Sequence, residues 1–198
     1  MIQISYNPNT ANKYAAEFAL NTIVNVGGER QTSCQPFDNN ELANLQGSEE
    51  PDGTINIGRF LNRQYEDRVT YGVPSDMIQL SLIPGRHNII NSGGRRITDT
   101  FGFSYRQGGE VVVAADLIRD ESGLEPNSKL IKQLIAYTAL HEYGHMRGLA
   151  RTDPPTEYGH CPNLCAMRST GSTTETAHLI GAMGRLAFCN DCTGWLGW

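Results

Sequence analysis

No stretch of this 198-residue chain approaches eighteen consecutive apolar residues, so no membrane-spanning helix and no membrane partner are expected. The opening residues MIQISYNPNT lack the basic start and apolar run of a secretory leader, and a soluble, cytoplasmic protein is the expectation that follows. Positive charge is also short: 16 Lys and Arg stand against 21 Asp and Glu, a net charge of -5 with a pI near 5.5. Phosphate binding needs a concentrated basic surface, so nucleic acid is not an expected partner. Arg95 and Arg96, after Gly93 and Gly94, are the only tight basic pair and read as the solvated tip of a hairpin. Repeats and low-complexity tracts are absent too. What is present is a 39% apolar fraction, enough for one sizeable core, and residues 1–198 read as a single domain.

Cysteine is scarce over the first 160 residues, where Cys34 stands alone and reads as an ordinary thiol. The other four, Cys161, Cys165, Cys189 and Cys192, crowd the last third as C-x3-C and C-x2-C. Without a leader, such clustering points to metal ligation before disulfides. Four thiolates at these spacings close a tetrahedral structural zinc site with no open position for chemistry.

The periodicities predict alternating strands and helices. MIQISY reads as a strand, residues 10–26 as a helix ended by Gly27 and Gly28, and 29–53 as an irregular loop with one short helix near 41–45. Residues 54–71 have Ile57, Phe60, Leu61, Tyr65 and Val69 at helical spacing. MIQLSLIP (77–84) alternates as a strand does. TFGFSYR (100–106) reads as an edge strand, joined by a turn at 107–109 to EVVVAAD (110–116), whose continuous apolar run predicts a buried central strand. A long helix follows over 129–147, with Leu130, Leu134, Tyr137 and Leu140 on its core stripe and Gly148 as its stop; 173–189 reads as the last helix. The fold class is therefore α/β (α+β), a mixed sheet flanked by helices.

The long helix carries HEYGH. His141 and His145 are four apart, so their imidazoles point the same way one turn apart, the geometry that two ligands of one zinc ion need. Glu142 follows directly and is placed to act as a base. In the compact zinc-peptidase spacing the third ligand would lie three residues after Gly148, but Arg151 stands there, and a guanidinium does not coordinate zinc. Candidates further on are Asp153, Glu157 and His160, and His160 adjoins Cys161.

With these residues in place the sequence resembles the archaemetzincins, zinc peptidases of the metzincin clan, whose signature is HExxHxxGxxHCx4CxM followed by CxxC. The matching positions are His141, Glu142, His145, Gly148, His160, Cys161, Cys165, Met167, Cys189 and Cys192. The resemblance is good from 100 to 192, plausible from 54 and weak before that. It implies that His160 is the third ligand, displaced by an insertion: eleven residues, Leu149 to Gly159, follow Gly148 where the family has two. C-x3-C is one residue shorter than in the family, and the run from Met167 to Cys189 is longer.

The resemblance further implies a metzincin-like twisted sheet, with an N-terminal subdomain (1–148) ending in the active-site helix and a zinc-stabilised C-terminal subdomain (149–198). Met167 would be the Met-turn residue under the zinc ligands. Residues Thr100, Phe101, Gly102, Phe103 and Ser104 would lie along the upper edge strand that pairs with an extended peptide. Tyr143 and Tyr158 are candidates for holding an oxyanion, although each is better explained as structural. The function expected is peptide-bond hydrolysis by a zinc-activated water with Glu142 as general base, as an aminopeptidase or narrow-specificity endopeptidase. The expected cofactors are two zinc ions per chain, one catalytic and one structural, in a monomer acting on a peptide or protein. The alternatives are a SprT-like protease, which the acidic charge and the HC and CAM details oppose, and a zinc-stabilised binding or regulatory protein whose site the insertion occludes.

Overall fold

The computed structural model describes residues 1–6, 13–29, 31–36, 45, 47–70, 72–84, 86–90, 96–97, 100–105, 109–125, 127–149 and 159–194. Along the chain these form β1 (Ile2–Tyr6), α1 (Lys13–Gly27), β2 (Gln31–Pro36), β3 (Ile55–Asn56), α2 (Ile57–Thr70), β4 (Ile78–Ile83), β5 (His87–Ile90), β6 (Arg96–Ile97), β7 (Gly102–Tyr105), β8 (Glu110–Ala114), α3 (Ala115–Ser122), α4 (Lys129–Arg147), α5 (Thr173–Met183) and α6 (Asn190–Gly194). Five strands make one mixed sheet in the order β2-β1-β4-β8-β7. All its neighbours are parallel except β7, which runs antiparallel to β8 with Gly102 opposite Val113 and Tyr105 opposite Glu110. A second, small sheet has the order β3-β5-β6.

The apolar run of β8 has a physical cause. All five of its residues are buried, with Val111 and Val113 in the main core against α1 and α4, and Val112 on the other face with Ile57, Phe60 and Ile83. Successive strand residues point to opposite faces, so a strand covered on both sides must be apolar at every position. It lies beside the terminal strand β7, one place further out than the sequence suggests. Strand β4, expected to alternate, has all six of its residues buried, Gln79 and Ser81 among them.

Other differences have identifiable causes. The polar segment Gln31–Pro36, expected as loop, pairs parallel with β1; a terminal strand is held by backbone hydrogen bonds that leave no apolar pattern to read. The run EVVVAAD does not stay a strand, because Ala115 and Asp116 open α3, and a buried helix start looks as apolar as a buried strand. Helix α2 begins at Ile57, after Ile55 and Asn56 have joined the small sheet. The last helix stops at Met183, where Gly184 takes φ 70°, six residues before the expected end. Leu45 sits in a turn, and 41–44, the rest of the short helix expected there, lie outside the described residues, as do 91–95, 107 and 108. Strands β5 and β6 pair antiparallel with Ile90 opposite Arg96, the arrangement of a hairpin.

Helix α4 positions everything that follows. The Ser128 side chain accepts from the Ile131 amide at 3.2 Å and caps its start, and Gly148, at φ 75°, ends it. Tyr143 is fully buried on the α1 side of α4. Its hydroxyl is 3.0 Å from both the Gly27 carbonyl and the Glu29 carboxylate, to which it donates, and accepts from Arg147 Nε at 3.2 Å. The residue is thus a structural strut, remote in role from any oxyanion. Tyr143→Phe removes the donor to the Gly27 carbonyl, while Glu29 keeps the Met1 amino group and the Arg147 guanidinium, and should cost about 1–2 kcal/mol, read as a lower urea midpoint; an unshifted midpoint would show that water replaces the hydroxyl without loss.

Candidate active site and metal centres

Near its C-terminal end α4 presents His141, Glu142 and His145, all half-buried, toward the loop that begins at Gly159. That loop brings His160 to them. The ligand nitrogens of His141, His145 and His160 all lie within 4.8 Å of one another, with the Nε2 atoms of His141 and His145 3.0 Å apart. The ring centroids make a nearly equilateral triangle of 4.7, 5.1 and 5.0 Å. Zinc–nitrogen bonds of about 2.0–2.1 Å in a tetrahedron place ligand nitrogens roughly 3.3 Å apart, so the three imidazoles fit one ion. His141 Nδ1 is 2.8 Å from the Ala166 carbonyl, which fixes Nδ1 as the donor and turns Nε2 inward as an acceptor. Asp153, Glu157, Tyr158 and most of the insertion lie outside the described residues.

Electrostatics favour the same chemistry. Burial lowers His141 to about 4, the Ala166 hydrogen bond opposing it and His160 adding to it. Burial, His141 and His160 together take His145 to about 3, and burial lowers His160 as well. A metal ligand must be neutral at the coordinating nitrogen, and here the charged form is the disfavoured one. Burial drives the Glu142 carboxyl up to about 8, tempered by a hydrogen bond with the Ser104 side chain.

The four cysteines gather beside this triad. Their sulfurs lie within 4.8 Å of one another, with Cys161 to Cys189 and Cys165 to Cys192 each 3.6 Å. Zinc–sulfur bonds of about 2.3 Å imply sulfurs roughly 3.8 Å apart, whereas a disulfide needs about 2.05 Å. Two backbone amides, of Met167 at 3.4 Å and Cys189 at 3.2 Å, donate to Cys165 Sγ, as they do to thiolate ligands. Cys165 is drawn down to about 5, first by its hydrogen bond with Cys192, whose own thiol is raised in return. Four thiols this close cannot all ionise without a cation among them. Both donor sets therefore fit zinc by chemistry and by spacing.

Two glycines let the site close. A β-carbon on Gly144 would sit 2.1 Å from Met167 Sδ, so the thioether lies flat against the helix backbone between His141 and His145, with Phe188 beside it. A β-carbon on Gly102 would sit 2.8 Å from Thr138 Cγ2 and 2.9 Å from both Glu142 Cγ and the Val112 carbonyl. Strand β7 thus approaches α4 as closely as backbone allows, and Ser104, on the same face, reaches Glu142. A cleft of about 290 Å³ opens here, lined by Thr100, Phe101, Gly102, Glu142, His141 and His160 from the expected set. Phe103 faces the other way, packing on the second cluster with Ile57 and Phe60.

Sequence reasoning missed several wall residues: Tyr137, Thr138, Ser169, Thr170, Gly171 and Thr176. Thr138 is one turn before Glu142, a spacing that signals a shared face. Tyr137, expected only as core, donates its hydroxyl to the Arg168 carbonyl and ties α4 to the loop after Met167.

Gly144→Ala should displace Met167 and lower stability by about 1–3 kcal/mol, with weaker zinc retention at the histidine set on dialysis; retention equal to the parent would mean that Met167 does not support the ligands. In metal-free protein, proton NMR should find His141 and His145 still uncharged at pH 5.5, below the ordinary value near 6.5, because burial penalises the imidazolium. Midpoints near 6.5 would contradict the enclosure described.

No protein-family model and no curated protein matches the sequence. Among solved structures, a zinc-dependent peptidase from Methanocorpusculum labreanum (strain Z) superposes with a TM-score of 0.67, over 99% of this chain and 100% of that one, at 16% identity. At that identity the likeness shows the fold: this chain has the mixed α/β fold of a known zinc-dependent peptidase, and in that fold it carries a three-histidine set and a four-cysteine set able to bind zinc.

Proposed function

We propose that the protein is a zinc-dependent peptidase of the metzincin type, similar to the archaemetzincins, with a catalytic zinc on His141, His145 and His160 and a structural zinc on Cys161, Cys165, Cys189 and Cys192. The observation that carries the reading is the convergence of three uncharged imidazoles beside a carboxylate in a cleft at the terminal strand of the sheet. Bound to three imidazoles, zinc supplies Lewis acidity that polarises a carbonyl and lowers the pKa of a water to about 7.

The chain's own residues do the rest. Glu142 takes the proton of the attacking water on its carboxylate and returns it to the leaving amine. Burial raises the Glu142 carboxyl in the absence of metal, and a zinc cation beside it would favour the carboxylate that accepts this proton. Ser104 holds one carboxylate oxygen, so the other is left for the proton. Met167, packed against Gly144, sets the floor under the ligands. An extended peptide lies along β7, from Thr100 through Ser104, with its scissile bond opposite Gly102, where the strand comes closest to Glu142.

Metal analysis on protein purified without added metal is the test. We expect about two zinc ions per chain in the parent and in Glu142→Ala, and about one in His160→Ala. Glu142→Ala should lower kcat on a peptide library by at least about a hundredfold without loss of metal. One zinc per chain in both the parent and His160→Ala would leave only the cysteine site filled and favour an inert binding protein.

A further inference from the structure

A second cleft, of about 470 Å³, lies on the sheet face opposite α4. Its walls are Gly58, Leu61, Asn62 and Tyr65 of α2 with Arg68, closed by Tyr105 of β7 and Glu110 of β8. The volume is in the range of small-ligand sites. Two of its aromatic walls face solvent, Tyr65 at 67% and Tyr105 at 42% exposure, whereas Glu110 is only 3% exposed.

Glu110 is the unusual member. Its Oε1 accepts from Arg68 Nη1 at 3.1 Å, while Oε2 is buried and has no hydrogen-bond partner among the described residues. Arg68 is occupied elsewhere, since Nη2 donates to the Met77 carbonyl at 2.5 Å and the Pro74 carbonyl at 3.3 Å. A buried polar oxygen without a partner costs about 1–3 kcal/mol, so an occupant toward which the Glu110 carboxyl turns Oε2 gains by satisfying it. A cationic occupant would meet the Arg68 guanidinium already on the same carboxyl. A neutral group avoids that repulsion, and a hydroxyl pairs with Oε2 whether the oxygen carries a proton or not. Burial, which raises Glu110 to about 8 against the pull of Arg68, makes this double capacity matter near neutral pH. Leu61 and the two tyrosines supply apolar and aromatic walls for a ring.

We infer that this cleft is a subsite for a tyrosine side chain of the substrate, its ring between Leu61, Tyr65 and Tyr105 and its hydroxyl on Glu110 Oε2. The assignment to substrate rests on the peptidase reading above. Strand β7 connects the two clefts: Gly102 and Ser104 face Glu142, while Phe103 and Tyr105 face the α2 side. Tyr105 is three residues, about 10 Å, along the strand from Gly102. A peptide lying along β7 sends alternate side chains to the two faces, so a residue some three places from the scissile bond reaches the second cleft.

The test has a binding arm and a hydrolysis arm, both on zinc-loaded full-length protein. In the first, N-acetyl-tyrosinamide and N-acetyl-phenylalaninamide are titrated and followed by amide NMR. The tyrosine probe should shift Leu61, Tyr65 and Tyr105 and bind about three- to tenfold more tightly than the phenylalanine probe. Leu61→Trp, which fills the cleft from a half-exposed position, should abolish those shifts while its thermal unfolding stays close to the parent's. In the second arm, peptides with tyrosine scanned through the three positions on either side of the cleaved bond should show one position at which tyrosine lowers KM relative to phenylalanine, and Leu61→Trp should erase that preference. Failure of the tyrosine probe to shift these amides, or equal binding of the two probes, overturns the proposal. So does hydrolysis with no tyrosine preference at any position. Specific binding with no hydrolysis of any peptide would sink the peptidase reading instead, and would leave the cleft as a phenol-binding site.

Discussion

Helix α4 is gripped at three places where a β-carbon would not fit, and the candidate site exists because of that grip. At Gly27 the ring of Tyr143 comes within 2.7 Å of where a β-carbon would stand, at Gly102 the strand meets Glu142 and Thr138, and at Gly144 the Met167 sulfur rests on the helix backbone. These contacts hold the helix against α1, against the edge of the sheet and against the C-terminal loop. Protein interiors transmit strain because they are close-packed, so moving any one of the three displaces the histidines as well. The three histidines and Glu142 of the candidate site are all half-buried, and their placement comes from fully buried neighbours.

The two donor sets are adjacent by construction. Cys161 follows His160 directly, and its amide donates to the Met167 carbonyl at 2.9 Å, folding the ligand-bearing loop back on itself. The Ala166 amide donates to the Ala187 carbonyl at 2.9 Å, while the Ala166 carbonyl accepts from His141. One residue therefore links α4 to the strip of chain that ends in Cys189 and Cys192. Order in the cysteine cluster passes to His141 through two hydrogen bonds and to His160 through one peptide bond. A segment with one long helix among irregular turns has little else to hold a ligand still.

The grouping of side chains at the candidate site was more legible than the architecture around it. HEYGH on an amphipathic helix, the HC pair and the two cysteine pairs are local patterns, and local spacing carries directly into which side chains share a face. The apolar run of β8 was legible for the same reason. Strand β2 was not, because a backbone ladder at a sheet edge tolerates QTSCQP as well as an apolar sequence. Helix α3 was hidden inside an apolar run that changes conformation at Ala115 without changing composition. Tyr143 lies within the signature motif and reads as part of the site until the fold turns it toward Gly27, 116 residues away. Such long-range partners leave no periodic trace.

Strand β7 is the element on which the two faces of the molecule meet. Its neighbour β8 is buried on both sides, and that burial places one apolar cluster under α4 and another under α2. The four residues of β7 divide between these layers, so a short strand at the end of the sheet contributes Gly102 and Ser104 to the surroundings of Glu142 and Tyr105 to a separate cleft. A peptide following such a strand is sampled by both layers at once, because pleating alternates its side chains as it alternates those of the strand. On the proposed reading, residues on the α4 face set where a bond is cut, and the buried carboxyl on the α2 face, with one oxygen on Arg68 and the other without a partner among the described residues, reads what lies further along the peptide.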